Sequence, residues 1–138
     1  MAIKNLSAFK NRLKRRLDEN ASIAVQKVIF KSTNLVRNTA IDGIARGVKS
    51  GNPRPQGGNA SAPGQYPATD TGFLISQITT NVKIEKDRVI GQIISSAPYS
   101  KFLEFGTSKM LPRPFMHPSL RVNEGKIKSL FKKEGLIR

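Results

Sequence analysis

Among residues able to exchange protons near neutral pH, attack a substrate or hold a metal, this 138-residue chain has one histidine, nine acids and no cysteine. His117 lies between Met116 and Pro118, so no multi-histidine metal centre exists within one subunit. Its plain reading is a packed or surface-tipping side chain at a helix start. A serine triad would have to pair His117 with one of Asp18, Glu19, Asp42, Asp70, Glu85, Asp87, Glu104, Glu124 and Glu134, and no serine stands in a nucleophile-elbow pattern. Asp18–Glu19 and Glu85–Asp87 are near neighbours on a helix surface and in a turn. A carboxylate pair for glycoside hydrolysis would need distant positions brought together. Lack of cysteine removes thiolate nucleophiles, disulfides and cysteine-ligated zinc or iron–sulfur centres. Gly57-Gly58 is not followed by the Lys-Ser/Thr of a phosphate loop. The expected inventory is no catalytic residue, no metal and no cofactor.

Charge is the stronger signal. Lysine and arginine number 24 against 9 acids, a net +15. Residues 1–50 contribute +8, residues 51–98 only +1 and residues 99–138 +6. Such an excess attracts polyanions, either nucleic acid or an acidic protein surface. Lys10, Arg12, Lys14, Arg15 and Arg16 are the candidate contacts. The alternative is a solvated basic face with no particular partner. No zinc finger, single-strand RNA-binding motif or compact helix-turn-helix spacing is present, so contact with DNA would be electrostatic and blind to sequence. The aromatics stand mostly at core-like positions.

Three kinds of element must position these groups. Residues 3–48 read as helix: Leu6, Phe9, Leu13 and Leu17 recur at spacings of three and four, and Ala21, Ala24 and Val28 extend the stripe. From Ile23 the apolar set widens through Val25, Ile29, Leu35, Val36, Ala40, Ile41, Ile44 and Val48, which predicts a well-buried second half. As one rod it would span roughly 69 Å, longer than so small a domain is wide. Either the helix breaks near Asp18-Glu19-Asn20-Ala21-Ser22, or its N-terminal part projects. Residues 49–69 hold four prolines and four glycines and predict a long flexible loop.

Ile78, Thr80, Val82 and Ile84 alternate with polar residues, and Val89 to Ser96 returns β-branched, which predicts a hairpin over about 76–96 with its turn at Lys86-Asp87. Gly91 within the return strand points to a bulge or a close backbone approach. Tyr99 to Glu104 suits one helical turn, Gly106 a sharp reversal, and Leu111-Pro112-Arg113-Pro114 an extended run. A last helix begins at about Phe115 with an apolar face of Leu120, Ile127, Leu130 and Phe131. The expected fold is α+β, one domain over 1–138: a long N-terminal helix, a small antiparallel sheet and a C-terminal helix. No apolar run reaches the ~20 residues of a membrane span. The N-terminus lacks the apolar stretch of a signal peptide, so synthesis in a cytoplasm is expected.

One segment carries a resemblance. Tyr99, then Glu104-Phe105-Gly106-Thr107, Lys109-Met110, Pro112-Arg113-Pro114-Phe115 and Pro118 resemble the signature of the tail-component family of long-tailed phages, the neck or tail-completion proteins. Pro67, Thr69 and Asp70-Thr71-Gly72-x-Leu74 before the hairpin are similar to a second family motif, although Ile75-Ser76-Gln77-Ile78 departs from it. Together they cover about residues 63–120, and the N-terminal helix fits by type only.

The resemblance implies a non-enzymatic virion protein of the neck. Its implied partners are copies of itself in a ring (hexamer ahead of dodecamer), head-closure, tail-terminator or tail-tube neighbours, and DNA in the channel. In that setting Tyr99, Glu104, Phe105, Gly106, Thr107, Pro112, Arg113, Pro114 and Phe115 would shape a subunit interface or the core beneath it. Phe102 and Phe105 are expected to bury, and Glu104 to pair with Arg113 or Lys109 or to stay solvated. The Leu6–Phe9–Leu13–Leu17 stripe is expected to be covered by a neighbouring copy. The rival reading is a basic cytoplasmic protein that binds nucleic acid without sequence preference. A hydrolase is a distant third.

Overall fold

The computed structural model describes residues 6–55, 57–69, 72–86 and 88–136. The first element, α1, is a single helix from Leu6 to Arg46. At ~1.5 Å per residue its 41 residues span about 62 Å. The break considered near Asp18–Ser22 does not occur. No glycine or proline stands between Leu6 and Asp42, and Asp or Asn inside a helix costs only some tenths of a kcal/mol relative to better formers. Residues 3–5 of the expected helix lie outside the described residues.

The N-terminal half of α1 leaves the body: residues 7–23 are all exposed. Burial starts at Val28 and recurs at Ser32, Val36, Ala40 and Ile44, a four-residue stripe on one face. The expectation of a well-buried second half therefore fails at Ile23 and Val48, and Phe30, outside that set, is exposed as well. Ile23 precedes the first residue that meets the body, Phe30 lies about 200° round the helix from Val28, and Val48 follows the helix end.

A short helix α2 (Phe73–Ser76) leads into β1 (Ile78–Ile84), which pairs antiparallel with β2 (Val89–Ser95) from Ile78↔Ser95 to Ile84↔Val89. The hairpin is slightly shorter than expected because Ser76 belongs to α2. Asp87 of its turn lies outside the described residues, as do Asp70 and Thr71. Gly91 faces Val82 in an unbroken ladder, so it marks a close approach and not a bulge. A β-carbon there would fall 2.1 Å from Thr33 Oγ1 and 2.9 Å from Ile29 Cγ2. Glycine thus lets β2 lie directly against α1.

The helices α3 (Ser100–Phe105) and α4 (Met116–Lys133) complete the chain's α+β order. Pro118 falls in the first turn of α4, where no intrahelical N–H is required. The second half of α1 serves as spine, with the hairpin on one side and α4 packed on it as well. Ile44 of α1, Leu74 of α2, Ile78 of β1, Ala97 just after β2 and Phe115 just before α4 form the core. Beside it runs a polar seam. The buried Asn123 amide donates to Thr39 Oγ1 at 2.8 Å and to the Ser119 carbonyl at 2.7 Å, and Tyr66 OH lies 3.1 Å from Ser119 Oγ. Satisfying a buried amide this way fixes α4 against α1 in one register.

Among the described residues of 49–69 there is no helix and one isolated bridge, Pro53↔Asn59. Their inner part is nevertheless tied to the body. The Tyr66 ring lies over Gly43, where a β-carbon would come within 2.4 Å of it. Gly64 N–H donates to the Pro112 carbonyl at 3.0 Å, while within the stretch the Arg54 guanidinium donates to the Ala68 and Thr69 carbonyls. Ser61 and Pro67 are buried.

Candidate functional site

The segment 99–115 turns the chain from α3 into α4, and its polar residues hold that turn. Glu104 is the hinge of the arrangement. Its Oε2 accepts from the backbone N–H of Phe115 at 2.9 Å and of Met116 at 3.0 Å, and its Oε1 accepts from His117 N–H at 2.9 Å. The carboxylate thus caps the first turn of α4, where three unpaired amides and the positive end of the helix dipole meet a full negative charge. The expected pairing with Arg113 or Lys109, or free solvation, is corrected: Glu104 bonds helix amides. Its distance in sequence, eleven residues before Phe115, hides it from any local capping pattern.

Gly106 ends α3 at φ +75° and ψ 179°, a region closed to residues with a β-carbon, and its N–H donates to Phe102 O at 2.8 Å. The sharp reversal was expected; the crowding is new. A β-carbon at Gly106 would sit 2.8 Å from Met110 O and 2.9 Å from Pro112 Cδ. Thr107 closes the following turn: its Oγ1 accepts from Lys109 N–H and Met110 N–H, while its own N–H donates to Met110 O at 2.8 Å. Arg113 straps the returning strand down, with its N–H on Leu103 O at 2.7 Å and its Nε on Ser61 O at 3.0 Å. Pro112 is exposed and offers its carbonyl to Gly64; Pro114 is half-buried. Phe115 is 1% exposed and anchors the core.

The aromatics divide differently from expectation. Phe102 and Phe105 do not bury; Phe105 is 73% exposed. Phe73 and Tyr99 are also exposed, with ring centroids 6.2 Å apart, and Leu111 stands clear as well. The reason is the short α3. A six-residue helix turns Leu103 and Glu104 inward, so its other faces point to solvent. Phe105 walls an open groove of about 630 Å³ that continues over Ile93, Met116 and Leu120. Nothing in the spacing announced which aromatics would face out, because the same pattern fits a buried turn.

Lys10, Arg12, Lys14, Arg15 and Arg16 all lie on the exposed part of α1, far along the chain from the signature turn. None lies within ion-pair distance of an acid among the described residues. Phe9, Leu13 and Leu17 are exposed beside them, Phe9 by 56%; the Leu6 side chain lies outside the description. The arm and the turn are thus two separate uncovered surfaces. For chemistry there is little: His117 is exposed, and among the described residues no group of three or more His, Asp or Glu could hold a metal ion.

Compared with known protein families, residues 7–106 match one described as "Bacteriophage HK97-gp10, putative tail-component". The matched span takes in the whole exposed part of α1 and ends at Gly106, so the helix that fitted only by type falls inside it. No curated protein and no solved structure matches the chain.

Proposed function

The chain belongs to the HK97-gp10-like family of bacteriophage tail components, and we propose that it is a structural virion protein of the neck, completing the tail at the head–tail junction as one copy in a ring around the DNA channel. The observation that carries this reading is the apolar surface one subunit leaves uncovered. Phe102, Phe105 and Leu111 project from a turn whose Glu104, Thr107 and Arg113 are spent on internal bonds. A frame this fully bonded presents its aromatics rigidly, which lowers the entropy cost of docking them.

A ring places the same two patches against each other at every junction, so one subunit's Phe105 groove meets a different surface of the next. Six copies is the expected number, with twelve as the runner-up. Because net charge makes free subunits repel one another, closure belongs to the assembled neck. Electron microscopy of intact necks is expected to show a closed ring of this chain. A single copy per particle, or none, overturns the proposal.

The charge favours a second reading, a dispersed protein that coats nucleic acid. Steeply salt-dependent DNA binding by a monomer that never enters particles would establish it. Under the neck reading, replacing Lys14, Arg15 and Arg16 by glutamine weakens incorporation or DNA retention more at low salt than at high salt. It leaves folding nearly intact, because exposed substitutions usually shift stability by no more than about 0.5 kcal/mol. Thermal melts and particle counts at two ionic strengths check both halves of this expectation.

A further inference from the structure

We infer that the projecting part of α1, residues 7–23, is a docking helix for a different protein that offers an apolar groove with acidic rims. The inference deepens the neck reading and rests on it for the setting, but not for its chemistry.

At about 100° per residue, Phe9, Leu13 and Leu17 occupy one sector of the helix roughly 80° wide. Arg12 and Arg16 fall along one edge of that sector, and Lys10 and Lys14 along the other. Arg15 points the opposite way. Contacts in the folded chain agree for the first edge, where Phe9, Leu13, Arg12 and Arg16 line one shallow surface depression. The arm is therefore an apolar ridge flanked by cationic rails on both sides, with Glu19 beyond Arg12 and Asp18 beyond Lys14, and every residue of it is exposed.

Helix-in-groove recognition reads such a ridge through residues one turn apart. The rails specify the rest: the receiving groove must carry negative charge on both lips. The expectation that a neighbouring copy covers this stripe gives way here, because a second copy of this chain is a poor source of such lips. Five of the 24 bases and two of the 9 acids lie in residues 7–23, which leaves 19 bases and 7 acids for the rest of the chain. Of those acids, Glu104 is committed to the α4 amides and Glu85 to Arg88, and the apolar depression between α1 and α4 is edged by Lys31 and Lys126. DNA alone would satisfy the rails but leave the Phe and Leu ridge in water. An acidic-lipped apolar groove satisfies both.

The test uses intact phage particles carrying a photo-crosslinking residue, Leu13→p-benzoylphenylalanine, with Phe105→p-benzoylphenylalanine in a parallel stock. Leu13 is expected to crosslink to an acid-rich segment of another virion protein, identified by mass spectrometry. A crosslink from Leu13 to this same chain, to DNA, or to nothing overturns the inference. Phe105 reports on the ring instead: a crosslink to a second copy supports it, and its absence there overturns the ring while leaving the docking helix standing.

Charge reversal supplies an independent readout. Arg12→Glu with Arg16→Glu should lower incorporation into particles roughly tenfold or more, whereas Arg15→Glu, on the far face, should change it by less than about twofold. Equal losses from both would mean a diffuse field and would also overturn the inference. A helix signal in circular dichroism equal to that of the unaltered protein excludes unfolding as the cause.

Discussion

Gly106→Val is expected to cost roughly 3–5 kcal/mol of folding stability, enough to lower the melting temperature by about 10 °C or more. Two effects add. A β-branched residue is disfavoured at φ +75°, and here ψ of 179° removes even the left-handed helical refuge. The new side chain also meets backbone: Met110 O at 2.8 Å and the Pro112 ring at 2.9 Å, neither of which can swing away as a side chain would. Because Pro112 is bonded to Gly64 and Arg113 to Leu103 and Ser61, the strain spreads through the whole return. Gly58→Ala is the control. It has a positive φ of +74° but open space around it, so backbone preference alone should cost about 1 kcal/mol. Thermal and urea unfolding of the two variants separate crowding from conformation. Equal losses would show that the contacts around Gly106 contribute nothing.

Glu104→Ala is expected to destabilise by roughly 2–3 kcal/mol, through the loss of three charge-assisted bonds at the start of α4. The amide of Phe115 belongs to a residue 1% exposed, so water repairs that bond poorly. Glu104→Gln should fall between, since its oxygen can still accept at Phe115 and Met116 while its –NH₂ group cannot accept from His117. Urea midpoints decide the order, and a glutamine variant weaker than the alanine one would contradict the capping role. Phe105→Ser, one residue along, should leave the midpoint nearly unchanged because the ring is mostly in water.

Elements of this fold were legible wherever their information is local. The stripe of α1, the alternation of Thr80, Val82 and Ile84, and the run from Phe115 into α4 each depend on neighbours two to four residues away, which is the range over which helix and strand geometry repeat. Gly106 was readable for the same reason, as the only residue type suited to the turn between Phe105 and Thr107. Composition bounded the expected chemistry: with one histidine and no cysteine, cysteine-based and multi-histidine sites are excluded, and +15 points to an anionic partner.

What tertiary structure decided was every pairing across distance. Glu104 could have met Arg113 or Lys109 by sequence, yet the reversal at residues 106–114 carries the α4 amides to it instead. Tyr66 in the Pro/Gly stretch covers Gly43, and Gly91 meets Thr33, contacts that no spacing encodes. The aromatics were misjudged for a related reason. Hydrophobicity states what a side chain prefers, but a six-residue helix has too few faces to bury Phe102, Leu103 and Phe105 at once, and the fold chose Leu103. Local periodicity sets which face of an element is apolar; only the packing of the elements sets which apolar faces remain uncovered, and in this chain those uncovered faces are where the proposed function lies.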